Sequence, residues 1–515
     1  MFAVSSRVLS LVLVAGTALS ATAADSARSI TIYSSAQPGA IDPSLYRPVR
    51  TGAYYNPYQQ QQIPGYAVVR EDRKVNIANG RGELRITDVA ALIDPTTVSF
   101  RSLTDPVNTR VIDQNFQFDL VSTEKLMQKY VDHQISVVAP RGDGVEVIDG
   151  TLLSSQNGGF VLKNDKTGQI HTLASSYGVT LPELPSGLIT RPTLVWNTAS
   201  NTGGEQTARI SYQTEGITWW ADYNLVYTEG TNANKGVLDV GAWVSILNQS
   251  GASYEDTRLK LVAGQVQRAP RPNEGRVAGY ARKELAMDSA GAPEFSEKSF
   301  FEYHLYTLSE PTTIPENSTK QLELFPTARG VPCDKVLVYI GQDYNGYWYG
   351  EPMTNQDYGI PTKKDVDVYL RFDNKEGNGL GIPLPSGRVR VSKLDEADGG
   401  LEFIGEDVIK HTPRNEEILI RLGQSFDVVG ERKQVDFNYD ASRKRMDETI
   451  EVEVRNRKKE PVQVIIQERM YRWTNWQFVG QVPDNKKLDA TTVQFPVIIE
   501  PDGKAVVKYT VRYTW

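Results

Sequence analysis

The chain is short of the residues that most often carry chemistry. A single cysteine, Cys333, stands among 515 residues, so no intramolecular disulfide can form. A chain of this length does not need one, because the buried fraction of surface rises with size. Cys333 follows Gly330-Val331-Pro332 and precedes an apolar strand pattern, so it reads as a small buried hydrophobe rather than a reactive thiol. Only four histidines occur, His133, His171, His304 and His411, and no two have metal-ligand spacing. No phosphate-cradling glycine loop opens a helix, and neither a G-x-S-x-G elbow nor an H-E-x-x-H helix is found. Asp373 to Gly379 lacks the alternating carboxylates and closing glutamate of a calcium loop and reads as a turn between strands. Neither sign of charge dominates. With 56 basic against 63 acidic side chains the net charge is -7, without the basic excess of a nucleic-acid binder. Helical periodicity is confined to Ser122–Tyr130, where Leu126, Met127 and Tyr130 share one side. Nothing here calls for a cofactor or a metal.

The N-terminus has a clear pattern. Arg7 precedes an apolar run from Val8 to Leu19, relieved by Ser10 and Gly16, and Ala21-Thr22-Ala23 supplies the small-x-small exit of a signal peptidase site. Residues 1–23 therefore read as a secretory signal peptide, which predicts an exported protein, periplasmic or associated with the cell surface. The apolar run is roughly a dozen residues where a spanning helix needs about 20, and no later segment approaches that length.

Beyond the leader the dominant signal is alternation with period two, which sends one set of side chains to a core and the other to water. Leu238, Val240, Ala242, Val244 and Ile246 form one such face, and Val366, Val368, Leu370 and Phe372 another. Val389 and Val391 alternate with Arg388 and Arg390, and Ile450, Val452 and Val454 with Glu451, Glu453 and Arg455. Asp-Gly and Asn-Gly pairs at 143–144, 157–159, 398–400 and 502–503 punctuate these runs as tight turns. Short strands of about five to eight residues with frequent turns predict an all-β, multi-domain fold of antiparallel β-sandwiches with little helix.

The chain divides on this reading into an N-terminal β region (24–121), a short helix with a small β unit (122–185), a central β domain (186–440) and an immunoglobulin-like sandwich (441–515). The small unit predicts a small inserted β-sheet or SH3-like barrel, with strands near 135–138, 145–154, 159–163 and 169–173. Residues 37–65, rich in proline, tyrosine and glutamine, and residues 267–297, rich in arginine, proline, alanine and glycine, read as long flexible insertions.

Three tryptophans are candidates for contact with a ligand or partner. Adjacent residues of a strand face opposite ways, so if Trp219 is core, Trp220 faces an interface. Trp473 and Trp476, with Tyr471 and Phe478, could stack sugar rings; the alternative is core packing with a bulge between them. The last strand also has two readings. Val507, Tyr509, Val511, Tyr513 and Trp515 alternate with polar residues as in the closing strand of an outer-membrane barrel, and equally as in the last strand of a soluble sandwich.

Several ordered segments resemble a known family. They are Ile217 to Tyr223 (ITWWADY), Leu247 to Gly251, Leu259 to Gly264, Gly379 to Val391 (GLGIPLPSGRVRV) and Phe426 to Arg432. Together they resemble the bacterial domain-of-unknown-function 4139 family in its stand-alone form, related to mucoidy inhibitor A-like proteins. The resemblance spans nearly all of the chain after the leader. It implies a cell-envelope setting and assigns no catalytic residue. Mucoidy inhibitor A-like relatives carry a long coiled-coil-like region ahead of the shared core; here only Ser122–Tyr130 is helical, so partner binding through a coiled coil is not implied. The expected function is a non-enzymatic binding or structural protein of the envelope, its partner another envelope protein or a polysaccharide. An enzyme acting on envelope polysaccharide and an outer-membrane barrel component are the alternatives.

Overall fold

The structure is a computed structural model that describes residues 28–33, 41, 63–141, 144–156, 159–264, 266, 295–342, 350–359, 362–395 and 397–515. The predicted leader, nearly all of 37–65 and most of 267–297 lie outside the described residues. The last three residues of the second expected insertion are strand: Phe295–Phe300 pairs with Tyr303–Leu308, and Phe295 is buried in the core.

The fold is all-β, with a single α-helix, Thr123–Lys129, among the described residues. That helix starts at Ser122, whose hydroxyl accepts from the backbone N–H of Lys125, a capping bond that satisfies one free donor of the first turn. Its Met127 packs with Ile135, Val137, Leu152 and Leu162, so helix and small sheet share one core. The sheet has five antiparallel strands: β6 (Gln134–Arg141), β7 (Gly144–Gln156), β8 (Gly159–Lys163), β9 (Ile170–Leu173) and β10 (Gly178–Thr180), in the order β10-β6-β7-β8-β9.

Two larger cores hold the rest. In the first, an eight-stranded sheet built on β1 (Arg28–Tyr33), β2 (Tyr66–Ile77), β12 (Gly204–Thr214) and β15 (Tyr254–Ala263) covers the central strands. These are β13 (Ile217–Glu229), β14 (Lys235–Asn248), β19 (Ser318–Tyr339), β20 (Asp365–Asp373), β21 (Gly387–Leu394), β22 (Leu401–Ile409) and β23 (Glu417–Asp440). They run in the order β22-β21-β13-β14-β19-β20-β23 within a thirteen-stranded sheet. That sheet curls until β22 returns beside β23, where Asp407 Oδ2 accepts from the backbone N–H of Arg421 at 2.7 Å. A side chain at Gly405 would put its Cβ 2.5 Å from the Leu422 carbonyl oxygen, so glycine is required for that approach.

The second core is the C-terminal sandwich. β24 (Arg445–Asn456), β25 (Val462–Arg469), β28 (Thr492–Ile499) and β29 (Lys504–Thr514) bury Ile450, Val464, Phe495 and Tyr509, among others. Here the strands depart from the short lengths expected. β19 has 22 residues and β23 has 24, and each runs through both cores. On β19, Val331 and Cys333 enter the first core while Leu337 and Tyr339 enter the second; on β23, Ile418 and Ile420 belong to the first and Val428 to the second. Pairing is mostly antiparallel, but β1–β15, β13–β21 and β19–β25 are parallel.

Three buried asparagines close strand ends in the same way. Asn248, Asn374 and Asn456 each donate through Nδ2 to loop carbonyls and accept from a following backbone N–H. Asn374 thereby organises the turn that only superficially resembled a calcium loop, with Gly379 at φ 74° closing its single 3-10 turn.

Candidate functional site

The outward face of the central strands carries the strongest polar and aromatic constellation. Alternation along β13 sends Tyr223, Leu225 and Tyr227 inward and Trp220, Asp222 and Asn224 outward. On β14 the face of Leu238, Val240, Ala242, Val244 and Ile246 is core, so Trp243 and Ser245 face the other way. Register then sets the neighbours: Asp222 lies opposite Trp243, Trp220 opposite Ser245, and Trp243 opposite Glu323 on β19.

Hydrogen bonds and ion pairs join these side chains into a belt across five adjacent strands. Gln321 Nε2 on β19 donates to Ser245 Oγ at 3.1 Å, and Ser245 Oγ donates to Asp222 Oδ2 at 3.3 Å. Trp220 Nε1 donates to the same Asp222 oxygen at 2.7 Å, while Arg390 Nη1 on β21 reaches Asp222 Oδ1 at 3.4 Å. Arg390 Nε lies 3.2 Å and Arg388 Nη1 3.9 Å from Glu406 Oε2 on β22. Asp222 is only 8% exposed, so a nearly buried carboxylate is satisfied here by three different side chains. Such a network fixes its members' rotamers, because moving one leaves a buried group unpaired.

Beside this rigid belt Trp243 is 39% exposed although β14 is an interior strand. Indole surface left in water at that level is on the order of 100 Å², forgoing roughly 2 kcal/mol of burial at ~25 cal/mol per Å². Gly241, two residues before it, carries no side chain, and a Cβ there would find nothing nearer than 3.5 Å. The indole is therefore not crowded from that side.

The three tryptophans singled out by sequence do not form one site. Trp220 is part of the belt, through its bond to Asp222. Trp219 is buried beside Tyr306, as the alternation expects. Trp473 and Trp476 both pack against the C-terminal core. Trp476 donates Nε1 to the Ala490 carbonyl at 2.9 Å, meets Phe478 edge-on, and has Lys487 Nζ 4.7 Å over its ring. Trp243 and Glu406 went unnoticed in the sequence, and Arg390 stood out only as the polar side of an alternation. The alternation of β14 was the available signal, because it places Trp243 on the polar side of an otherwise clear pattern.

A second constellation is buried inside the C-terminal sandwich. Arg432 Nε lies 2.9 Å from Glu468 Oε2, which also accepts from Tyr509 Oη at 2.6 Å. Arg472 Nη2 lies 3.0 Å from Glu448 Oε1, which accepts from Tyr471 Oη at 2.7 Å. All four charged side chains are at most 1% exposed. Arg472 further donates to the carbonyls of Met353, Asn355, Gln356 and Tyr358, fastening segment 350–359 to the sandwich. Closed to solvent, this network has a structural part to play. Among the described residues no cluster of three metal-ligating side chains occurs.

No family model matches the chain, and no significant match joins it to a curated protein or to a solved structure. The resemblance to the domain-of-unknown-function 4139 family rests on the quoted segments alone. Two of those segments nevertheless meet in this site, since Trp220 and Asp222 come from the first and Arg388 and Arg390 from the fourth.

Proposed function

We propose that this chain is an exported protein of the bacterial envelope, of the kind the resembling family represents, and that it binds another envelope component without catalysis. The observation that carries this reading is the outward belt, where a half-exposed tryptophan stands on an interior strand beside side chains whose geometry is already fixed. Preorganised groups around an aromatic anchor suit binding, since little entropy remains to be lost. Glycoside hydrolysis needs one carboxyl as acid and another as base or nucleophile, flanking the bond. Here Asp222 and Glu406 share the guanidinium of Arg390, which favours recognition over bond cleavage.

The last strand supports a protein outside the bilayer. Val507, Tyr509, Val511 and Tyr513 face the sandwich core, while Arg512 pairs with Asp447 at 2.7 Å and Lys508 lies 3.9 Å from Glu451 on the outer side. A lipid-facing strand would carry apolar groups where these charges stand. Among the described residues no helix is long and apolar enough to cross a membrane. The test of export is the N-terminal mass of the protein recovered from its native cells. A chain starting at Ala24 in the periplasmic or surface fraction is expected, and an intact Met1 in the cytoplasm would overturn the reading.

A further inference from the structure

We infer that the occupant of the Trp243 face is a neutral oligosaccharide, its pyranose ring stacked on the indole and its hydroxyls held by Arg390, Glu406 and Asn224. The inference rests on the binding role proposed above. Charge is the first argument. Within the belt two guanidiniums, Arg388 and Arg390, stand against two carboxylates, Asp222 and Glu406, and they are already paired with one another. Glu323, opposite Trp243, adds a third carboxylate, so the site has no surplus positive charge with which to attract a polyanion, and the chain as a whole is acidic at -7. What it does offer is N–H donors and carboxylate lone pairs in alternation across strands about 4.8 Å apart. A sugar hydroxyl both donates and accepts, so adjacent hydroxyls of one ring can engage a guanidinium and a carboxylate together.

The second argument is shape. Trp243 stands on an interior strand whose backbone is paired on both sides, by β13 and β19, so no strand edge there is free to pair with an extended peptide. The exposed apolar surface at its centre is one indole, suited to the C–H face of one ring rather than to a lipid or a helix. Gly241 leaves room for a ring to overhang toward Asn224, its cross-strand partner on the same face. Nothing in this arrangement breaks or forms a covalent bond.

The experiment titrates the purified protein with cellohexaose, maltohexaose and chitohexaose, followed by calorimetry and intrinsic fluorescence, with hexagalacturonate as the anionic comparison. At least one neutral hexamer is expected to bind with an affinity that 0.5 M salt changes by no more than about twofold, since the ligand carries no charge to be screened. Trp243→Ala should weaken it at least tenfold, Trp243→Phe by less, and Glu406→Gln by an intermediate factor. Phe426→Ala, at an exposed aromatic elsewhere on β23, should leave it unchanged. Circular dichroism of each variant separates lost binding from lost fold. Binding of none of the neutral hexamers, binding indifferent to Trp243→Ala, or salt-sensitive binding of hexagalacturonate alone would overturn the inference. A protein partner crosslinked to position 243, together with no glycan binding, would overturn the glycan while leaving the binding role standing.

Discussion

Arg472→Met removes the cation from the buried pair with Glu448 while keeping an unbranched side chain of similar length. Glu448 would then remain as a buried carboxylate with one charged partner gone and only Tyr471 donating to it. Breaking a buried pair on one side costs about 3–5 kcal/mol. The four carbonyls of segment 350–359 that Arg472 holds can turn to water once released, so they add little to that figure. Domains are stable by only about 5–15 kcal/mol, so the sandwich should stay folded with a much reduced margin. Removing both charges with Arg472→Met and Glu448→Leu should recover most of the loss, because an apolar pair of similar volume leaves no buried charge unpaired and Tyr471 Oη keeps the Tyr358 carbonyl as acceptor. Urea unfolding followed by fluorescence gives midpoint and slope for the protein, both single variants and the double variant. The reasoning fails if Arg472→Met costs less than about 1 kcal/mol, or if the double variant is no more stable than the worse single one.

Other perturbations follow from the same structure. Hydrogen bonds from Lys504 and Arg455 hold the Glu453 carboxyl at about 2 against an ordinary 4.5, and the Arg512 hydrogen bond lowers Asp447 likewise. Both folded values lie below the unfolded ones, so their contribution is complete above about pH 4.5 and is lost as pH falls toward 2. Glu453→Gln should therefore flatten the fall in urea midpoint across that window, and an unchanged slope would contradict the assignment. Burial, with Asp334 nearby, pushes the Cys333 thiol from 9.0 up to about 12. A disulfide reagent at pH 8 should then leave it unmodified until urea is added, and rapid native labelling would count against its burial. Asn456→Ala strips a donor from the carbonyls of Glu460, Ile499 and Glu500. A loss of about 1–3 kcal/mol is expected, with early proteolysis at the 457–461 turn; a neutral substitution would show that the clip is dispensable.

The fold class was legible because alternation is a local property: β24 could be read from Ile450 to Arg455 without knowing its neighbours. The segment Ser122–Tyr130 was legible for the same reason, since its cap and apolar side lie within nine residues. Strand length was not. β19 passes Pro326 and Pro332 before it crosses from one core to the next between Cys333 and Leu337, and prolines in a sequence argue for interruption where the strand continues, with bulges in the stretch around Pro326. The buried ion pairs left a faint trace. Glu448 and Glu468 occupy inward positions of β24 and β25, out of step with Glu451 and Glu453, but their partners Arg472 and Arg432 follow from no spacing. The belt was half visible, through Trp220 and through the Arg388–Val391 alternation. Its assembly depends on the parallel pairing of β13 with β21, residues more than 160 positions apart, which nothing local encodes.

Engagement of an envelope component by the exported chain through the Trp243 face is open to direct test. A photoreactive amino acid placed at position 243, and in a parallel strain at Lys508 on the outer side of the last strand, tests it in growing cells after fractionation. An envelope-derived adduct is expected at 243 on protein from the periplasmic or surface fraction, and none at 508. Equal adducts at both positions, or none at 243, would contradict it.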